Sequence, residues 1–167
     1  LVRMKKASKK IILLGHFGVG KSSLIRQFVE HTFTSDYKVT IGVHILKKEV
    51  EISPDETVSL IIWDLEGYDD IKKTRASYLL GTHGFIYVFD VTRPATFENL
   101  KDDITYLTSQ HVNTPLKIVG NKVDLVTKTY LKENKDMFGV TPDFFTSAKT
   151  GDKVDDMFIT LAKELVK

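Results

Sequence analysis

Cysteine is absent from the 167 residues. No disulfide, thiolate metal site or cysteine nucleophile is therefore available, and within these residues no prenyl or palmitoyl group has a point of attachment. Long apolar runs are missing too. The richest, around Phe85 to Phe89, stops at Asp90, far short of the roughly 20 residues that a bilayer-spanning helix needs. No signal-peptide pattern is found. Neither sign of charge dominates: 24 Lys and Arg stand against 22 Asp and Glu, a formal net charge of +2. A basic face interleaved with aromatic rings, the footprint of nucleic-acid binding, is also lacking. A cytoplasmic monomer without a nucleic-acid partner or lipid anchor is expected. Lys5, Lys6, Lys9 and Lys10 crowd the start. They read either as a solvated, frayed terminus or as a patch for a membrane surface or acidic partner. Residues 1–8 are accordingly expected to be flexible, with Leu1–Arg3 extraneous to the fold, and residues 9–167 to form one domain.

The rest of the chain alternates strand-like and helical patterns. Ile11–Leu14 is a continuous apolar run closed by Gly15, as in a strand buried on both faces. Ser22–Glu30 follows with Leu24, Ile25, Phe28 and Val29 at helical spacing. Val43–Ile52 and Val58–Trp63 flank Ser53-Pro54-Asp55-Glu56, a turn signal that predicts an antiparallel hairpin. Phe85–Phe89, Leu116–Val119 and Phe144–Phe145 supply three more strands. Helices are expected near Lys72–Leu80, Thr96–Ser109, Tyr130–Met137 and Val154–Val166. This order predicts a three-layer α/β fold. Its six-stranded sheet is mostly parallel, with one antiparallel edge strand from the hairpin and helices on both faces. Such sheets bind ligands beyond the carboxyl ends of their strands.

The loops at those ends carry chemistry. Gly15-His16-Phe17-Gly18-Val19-Gly20-Lys21-Ser22 matches G-x-x-x-x-G-K-[ST] between a strand and a helix, the P-loop pattern. Its glycines let backbone N–H groups face phosphate oxygens, and the helix N-terminus adds a favourable dipole. Lys21 would neutralise β- and γ-phosphates, and Ser22 would offer its hydroxyl to Mg²⁺. Asp64-Leu65-Glu66-Gly67 follows the hairpin. Asp64 can hold Mg²⁺ through water, and Gly67 lets its own N–H approach the γ-phosphate because no Cβ intervenes. Asn121-Lys122-Val123-Asp124 is the base reader. The Asp124 carboxylate can accept from both N1–H and N2–H₂ of guanine, whereas adenine offers no such pair of donors. A buried acceptor left unpaired costs about 1–3 kcal/mol. At Ser147-Ala148-Lys149, a small residue allows a backbone N–H to reach guanine O6, and the Lys stem can cover the ring. A small kinase using ATP would explain Gly15–Ser22 but not Asn121–Asp124 or Ser147–Lys149.

With these four motifs in order, essentially the whole chain resembles a Ras-superfamily small GTPase, and is most similar to the Rab branch through Thr40-Ile41-Gly42-Val43, Ile62-Trp63-Asp64 and the Ser77-Tyr78 region. The resemblance implies a P-loop NTPase fold and a switch that binds GTP or GDP with Mg²⁺, hydrolyses GTP and signals through two switch loops. It implies that Thr40 ligates Mg²⁺ and contacts the γ-phosphate, and that Phe33 lays a ring edge against guanine. It also places Ser23 and Tyr37 in the nucleotide site. Exchange-factor, activating and effector proteins are the partners it implies, with Ile45, Trp63 and Tyr78 matching the hydrophobic triad by which Rabs report their state; ordinary packing is the other reading of Trp63 and Tyr78.

Two departures bear on hydrolysis. Tyr68 stands where the family has the glutamine that orients the attacking water, and a phenol has no amide carbonyl to accept from that water. Phe17 stands where a small residue is common. It either crowds the γ-phosphate and blocks a partner's arginine, or packs away on a switch loop. Slow intrinsic hydrolysis is expected, with Lys21, Thr40, Gly67 and Tyr68 the residues nearest the chemistry. Lys38 and Arg75 are candidate cations in cis, and Glu66 and Asp69 candidate water-positioning groups. The segment from Asp124 to Ser147 is a few residues short for a Rab, so its helix is expected to be abbreviated.

Overall fold

Alternate residues of an extended run go to opposite faces of a sheet, and the first apolar run does this between two cores. In the computed structural model, which describes residues 5–34, 41–68 and 70–167, Ile11 and Leu13 of strand β1 (Lys5–Leu14) enter one cluster, and Ile12 and Leu14 enter the other. Five further strands complete the sheet: β2 (Val43–Ser53), β3 (Glu56–Leu65), β4 (Gly84–Asp90), β5 (Leu116–Asn121) and β6 (Phe144–Phe145). Their order is β2-β3-β1-β4-β5-β6; among the described residues the β2–β3 pair alone is antiparallel. The expected mixed six-stranded sheet with helices on both faces is what forms. β4, buried along its whole length, sits near the centre, and the edge strand β2 carries Lys47, Lys48, Glu49 and Glu51, charges that discourage edge-to-edge pairing.

The helices α1 (Lys21–Glu30) and α5 (Val154–Leu165) cover one face, where Phe28 stacks on Phe158 with ring centroids 4.2 Å apart. The other face is covered by α2 (Ala76–Leu79), α3 (Leu100–Gln110) and α4 (Lys128–Glu133). Phe138 lies there against Phe89 and Phe97, with centroids 4.9 and 5.0 Å away.

Several boundaries differ from the sequence expectation. The sheet starts at Lys5, not after residue 8: Lys5–Ser8 pairs in register with Glu56–Ser59. Lys6 bonds Glu49 at 2.7 Å, and Lys10 donates to the carbonyls of Tyr78 and Leu80 at 2.6 and 2.7 Å. A long β3 satisfies the backbone of these lysines, so they do not read as a frayed end. The helix expected over Lys72–Leu80 is split. A 3₁₀ turn, Ile71–Lys73, capped by the Asp70 carboxylate, is followed by extended Thr74 and Arg75 and a single turn of α2. α3 begins at Leu100 rather than Thr96, because the Thr96 hydroxyl is tied to the backbone of Asp90 and Arg93. α4 is short, as expected, and gives way at Asn134 to a 3₁₀ turn, Lys135–Phe138, that inserts Phe138 into the core.

Candidate functional site

The carboxyl ends of β1, β3 and β5 and the turn after β6 meet around one cavity of about 840 Å³. Its phosphate-sized end is built by Gly15–Ser22. Gly20 has φ +101°, and a Cβ there would collide with the Asn121 side chain, so the turn into α1 requires glycine. Every carbonyl from Gly15 to Gly20 has a donor. Lys21 Nζ lies 3.3 Å from the Gly15 oxygen and 3.2 Å from the His16 oxygen. Arg93 Nη1 donates to Phe17 at 2.9 Å, Lys122 Nζ to Gly18 at 2.7 Å, and Asn121 Nδ2 to Val19 at 3.0 Å. The Gly20 oxygen takes the Leu24 N–H at 2.8 Å.

Lys21 is only 6% exposed. Burial pulls its pKa down to about 8, against the opposing pull of the nearby Asp64 carboxylate. A buried ammonium held on two long carbonyl contacts is placed to exchange them for an anion. At the cavity floor the Ser22 hydroxyl donates to Asp64 Oδ2. Asp64 itself is 1% exposed. A hydroxyl and a carboxylate converging there form a hard-oxygen donor set of the kind magnesium takes. Gly67 closes the same end: a Cβ on it would lie 2.7 Å from the Phe17 nitrogen and 2.8 Å from the His16 carbonyl carbon.

The other end is organised by Asn121, 1% exposed at the tip of β5. Its Oδ1 accepts from the Thr146 hydroxyl at 3.0 Å and from the Ala148 N–H at 3.2 Å, while its Nδ2 holds Val19. One amide thus joins the phosphate end to the base end. Lys122, in the left-handed region with φ +69°, turns the chain so that Asp124 faces the cavity. The Ser147 hydroxyl donates to Asp124 Oδ1 at 2.8 Å and fixes one carboxylate oxygen. Gln27 Nε2 holds the Ala148 carbonyl at 2.8 Å.

Phe17, Gly18, Gly20, Lys21, Ser22, Ser23, Phe33, Gly67, Asn121, Lys122, Asp124, Ala148 and Lys149 all line this cavity. Gly15, Val19 and Ser147 stand behind it as supports. Tyr37, Lys38, Thr40 and Asp69 lie outside the described residues. Tyr68 does not line the cavity. Its hydroxyl donates to Glu66 Oε2 at 3.0 Å, and its ring centre lies 6.5 Å from that of Phe17, which is 42% exposed. The hydrogen bond to Glu66 raises the phenol pKa. Arg75 sits 5.7 Å over the Tyr78 ring and likewise does not line the cavity. Ile45 pairs with Trp63 across β2 and β3, and Trp63 lies 6.2 Å from Tyr78 with Lys10 over its ring at 3.8 Å. Ile45 is 48% exposed, while Trp63 and Tyr78 are half-buried against the core.

Sequence reasoning missed the loop after β4. Asp90 is 1% exposed, pairs in register with Asn121, and bonds Lys122 Nζ at 3.0 Å. A carboxylate ending a wholly apolar strand was a signal equal to that of Asp64. Arg93, three residues on, reaches the P-loop, and Arg26, Ile41, His44 and Leu125 line the cavity without having been anticipated. The sequence model of the Ras family matches residues 10–167.

Proposed function

The chain belongs to the Ras family of small GTP-binding proteins, and from that premise we propose that it is a Rab-like, monomeric cytoplasmic switch that binds GTP and GDP with Mg²⁺, hydrolyses GTP slowly and signals by nucleotide-dependent switch loops. The observation that carries this reading is one cavity holding Lys21 and Ser22 at one end and Asp124 at the other, with Asn121 bolting the ends together. Asp124 would select guanine, Ala148 would offer its N–H to O6, and Phe33 and Lys149 would flank the ring. Ser22 and Asp64 would hold Mg²⁺, with Thr40 closing on it. Bound there, the ion supplies positive charge against phosphate oxygens. Ile45, Trp63 and Tyr78 would form the surface read by effectors, exchange factors and activating proteins. Identifying the nucleotide that co-purifies with the protein tests the reading. GDP or GTP supports it; ATP or ADP contradicts it.

A second reading is favoured by the placement of Tyr68. Its hydroxyl is turned to Glu66 and its ring to Phe17, away from the water-orienting role expected of that position. On this reading the protein is a docking module that keeps GTP almost permanently. Single-turnover conversion of bound GTP separates the two: measurable GDP formation over hours favours the slow switch, and none favours the docking module.

A further inference from the structure

The trans peptide sets a carbonyl and the following N–H in opposite directions. Three successive carbonyls of the P-loop are drawn outward by three side chains: Phe17 by Arg93, Gly18 by Lys122 and Val19 by Asn121. The N–H groups of Gly18, Val19 and Gly20 must therefore face away from those donors. Lys122 and Asn121 are themselves fixed, by Asp90 and by Thr146 and Ala148 respectively. The peptide between Phe17 and Gly18 is held instead by an exposed side chain, Arg93. That peptide's C-terminal residue is a glycine with φ +70°, which can rotate through regions closed to other residues. The Val19–Gly20 peptide also ends on a positive-φ glycine, at φ +101°, but its carbonyl is held by the buried Asn121, whereas the Phe17 carbonyl is held by the exposed Arg93.

We infer that Arg93 is a positioning residue for phosphate binding, which acts by locking the Phe17–Gly18 peptide so that the Gly18 N–H is aimed at the phosphate chain. The inference rests on the reading of the cavity as a guanine-nucleotide site. Arg93 does not line the cavity. It comes from the loop after β4, where Thr96 anchors the turn by bonding the carbonyls of Asp90 and Arg93. Phe17 is fastened by the same contact: with its carbonyl fixed, its exposed ring stays directed to Tyr68 and away from the core.

The test compares wild type, Arg93→Ala and Arg93→Lys, each loaded with a fluorescent GDP analogue in Mg²⁺. Removing one charge-assisted hydrogen bond at an exposed site is expected to raise the nucleotide dissociation rate about tenfold in Arg93→Ala. Arg93→Lys keeps a donor and is expected to restore most of the loss. The Gly18 amide resonance and the ³¹P resonance of the bound β-phosphate should both shift in Arg93→Ala and return toward wild type in Arg93→Lys. A generally loosened protein would dissociate faster without a lysine rescue and without a localised Gly18 shift, and that result overturns the inference. Unchanged dissociation in Arg93→Ala overturns it as well. A wild-type protein that retains no guanine nucleotide would instead refute the functional reading on which it rests.

Discussion

Asn121 and Asp124 lie three residues apart in one motif, yet the structure gives them opposite roles, and substitution should separate them. Asn121 is buried and makes three side-chain hydrogen bonds, to Val19, Thr146 and Ala148, at 3.0, 3.0 and 3.2 Å. Asn121→Ala leaves a carbonyl, a hydroxyl and an N–H without their partner, and each such buried group costs about 1–3 kcal/mol. The three share one site, so their losses are coupled rather than additive, and about 3–5 kcal/mol is expected in total. That is a large part of the roughly 5–15 kcal/mol that holds a domain together. Asp124, by contrast, is exposed to the cavity and its carboxylate accepts one hydroxyl, from Ser147 at 2.8 Å. Asp124→Ala should cost about 1 kcal/mol or less of folding stability, and yet remove guanine selection. Urea unfolding of the nucleotide-free proteins measures the first quantity and guanine-against-adenine competition the second. If Asn121→Ala unfolds within 1 kcal/mol of wild type, the amide is not the bolt between the two ends. If Asp124→Ala destabilises the fold as much as Asn121→Ala, the division of roles is wrong.

Three further outcomes are expected. Lys21 has a pKa near 8 in the free protein, and a bound polyphosphate would raise it. Binding then takes up a proton above that pH, so nucleotide affinity should be flat below pH 8 and fall by up to about tenfold per pH unit above it; titration calorimetry from pH 6.5 to 9.5 checks this, and a flat profile throughout contradicts it. GTP hydrolysis without a partner should proceed at or below the order of 10⁻⁴ per second, and Phe17→Gly with Tyr68→Gln should accelerate it more than the single substitutions combined, because the two rings adjoin. Fast turnover by wild type would show that another group orients the water. A partner protein that engages Ile45, Trp63 and Tyr78 should bind the GTP-analogue form in preference to the GDP form, and lose that binding on Ile45→Asp; equal capture of both forms, by pull-down with loaded protein, would remove this surface from the switch.

What could be read from the sequence had a physical basis in each case. Ile11–Leu14 identified β1 because a strand covered on both sides needs apolar residues at every position. Gly15–Ser22 identified the P-loop because few residue combinations make that turn. The hairpin was legible from Pro54-Asp55. What escaped reading depends on tertiary contacts. Lys5–Ser8 looks solvated until β3 is seen to extend alongside it. Residues Lys72–Leu80 have helical composition, but the Asp70 cap closes only a 3₁₀ turn, and Thr74 and Arg75 stay extended. Arg93 went unread, since its partner is a backbone carbonyl 76 residues earlier, and no residue pattern encodes such a contact. Trp63 and Tyr78 adjoin each other as well as the core, a pairing between separate elements that sequence spacing does not encode.

The central claim is that the cavity is a guanine-nucleotide site read by Asp124. Its most direct measurement is equilibrium competition of GTP, ATP and xanthosine triphosphate for the Mg²⁺-containing wild-type protein and for Asp124→Asn. Wild type should prefer GTP over ATP by several orders of magnitude. Asp124→Asn should shift its preference to the xanthine nucleotide, whose C2 carbonyl can accept from the new amide. If ATP competes with GTP at equal strength in wild type, or if Asp124→Asn leaves base preference unchanged, Asp124 is not the base reader and the account of the site fails.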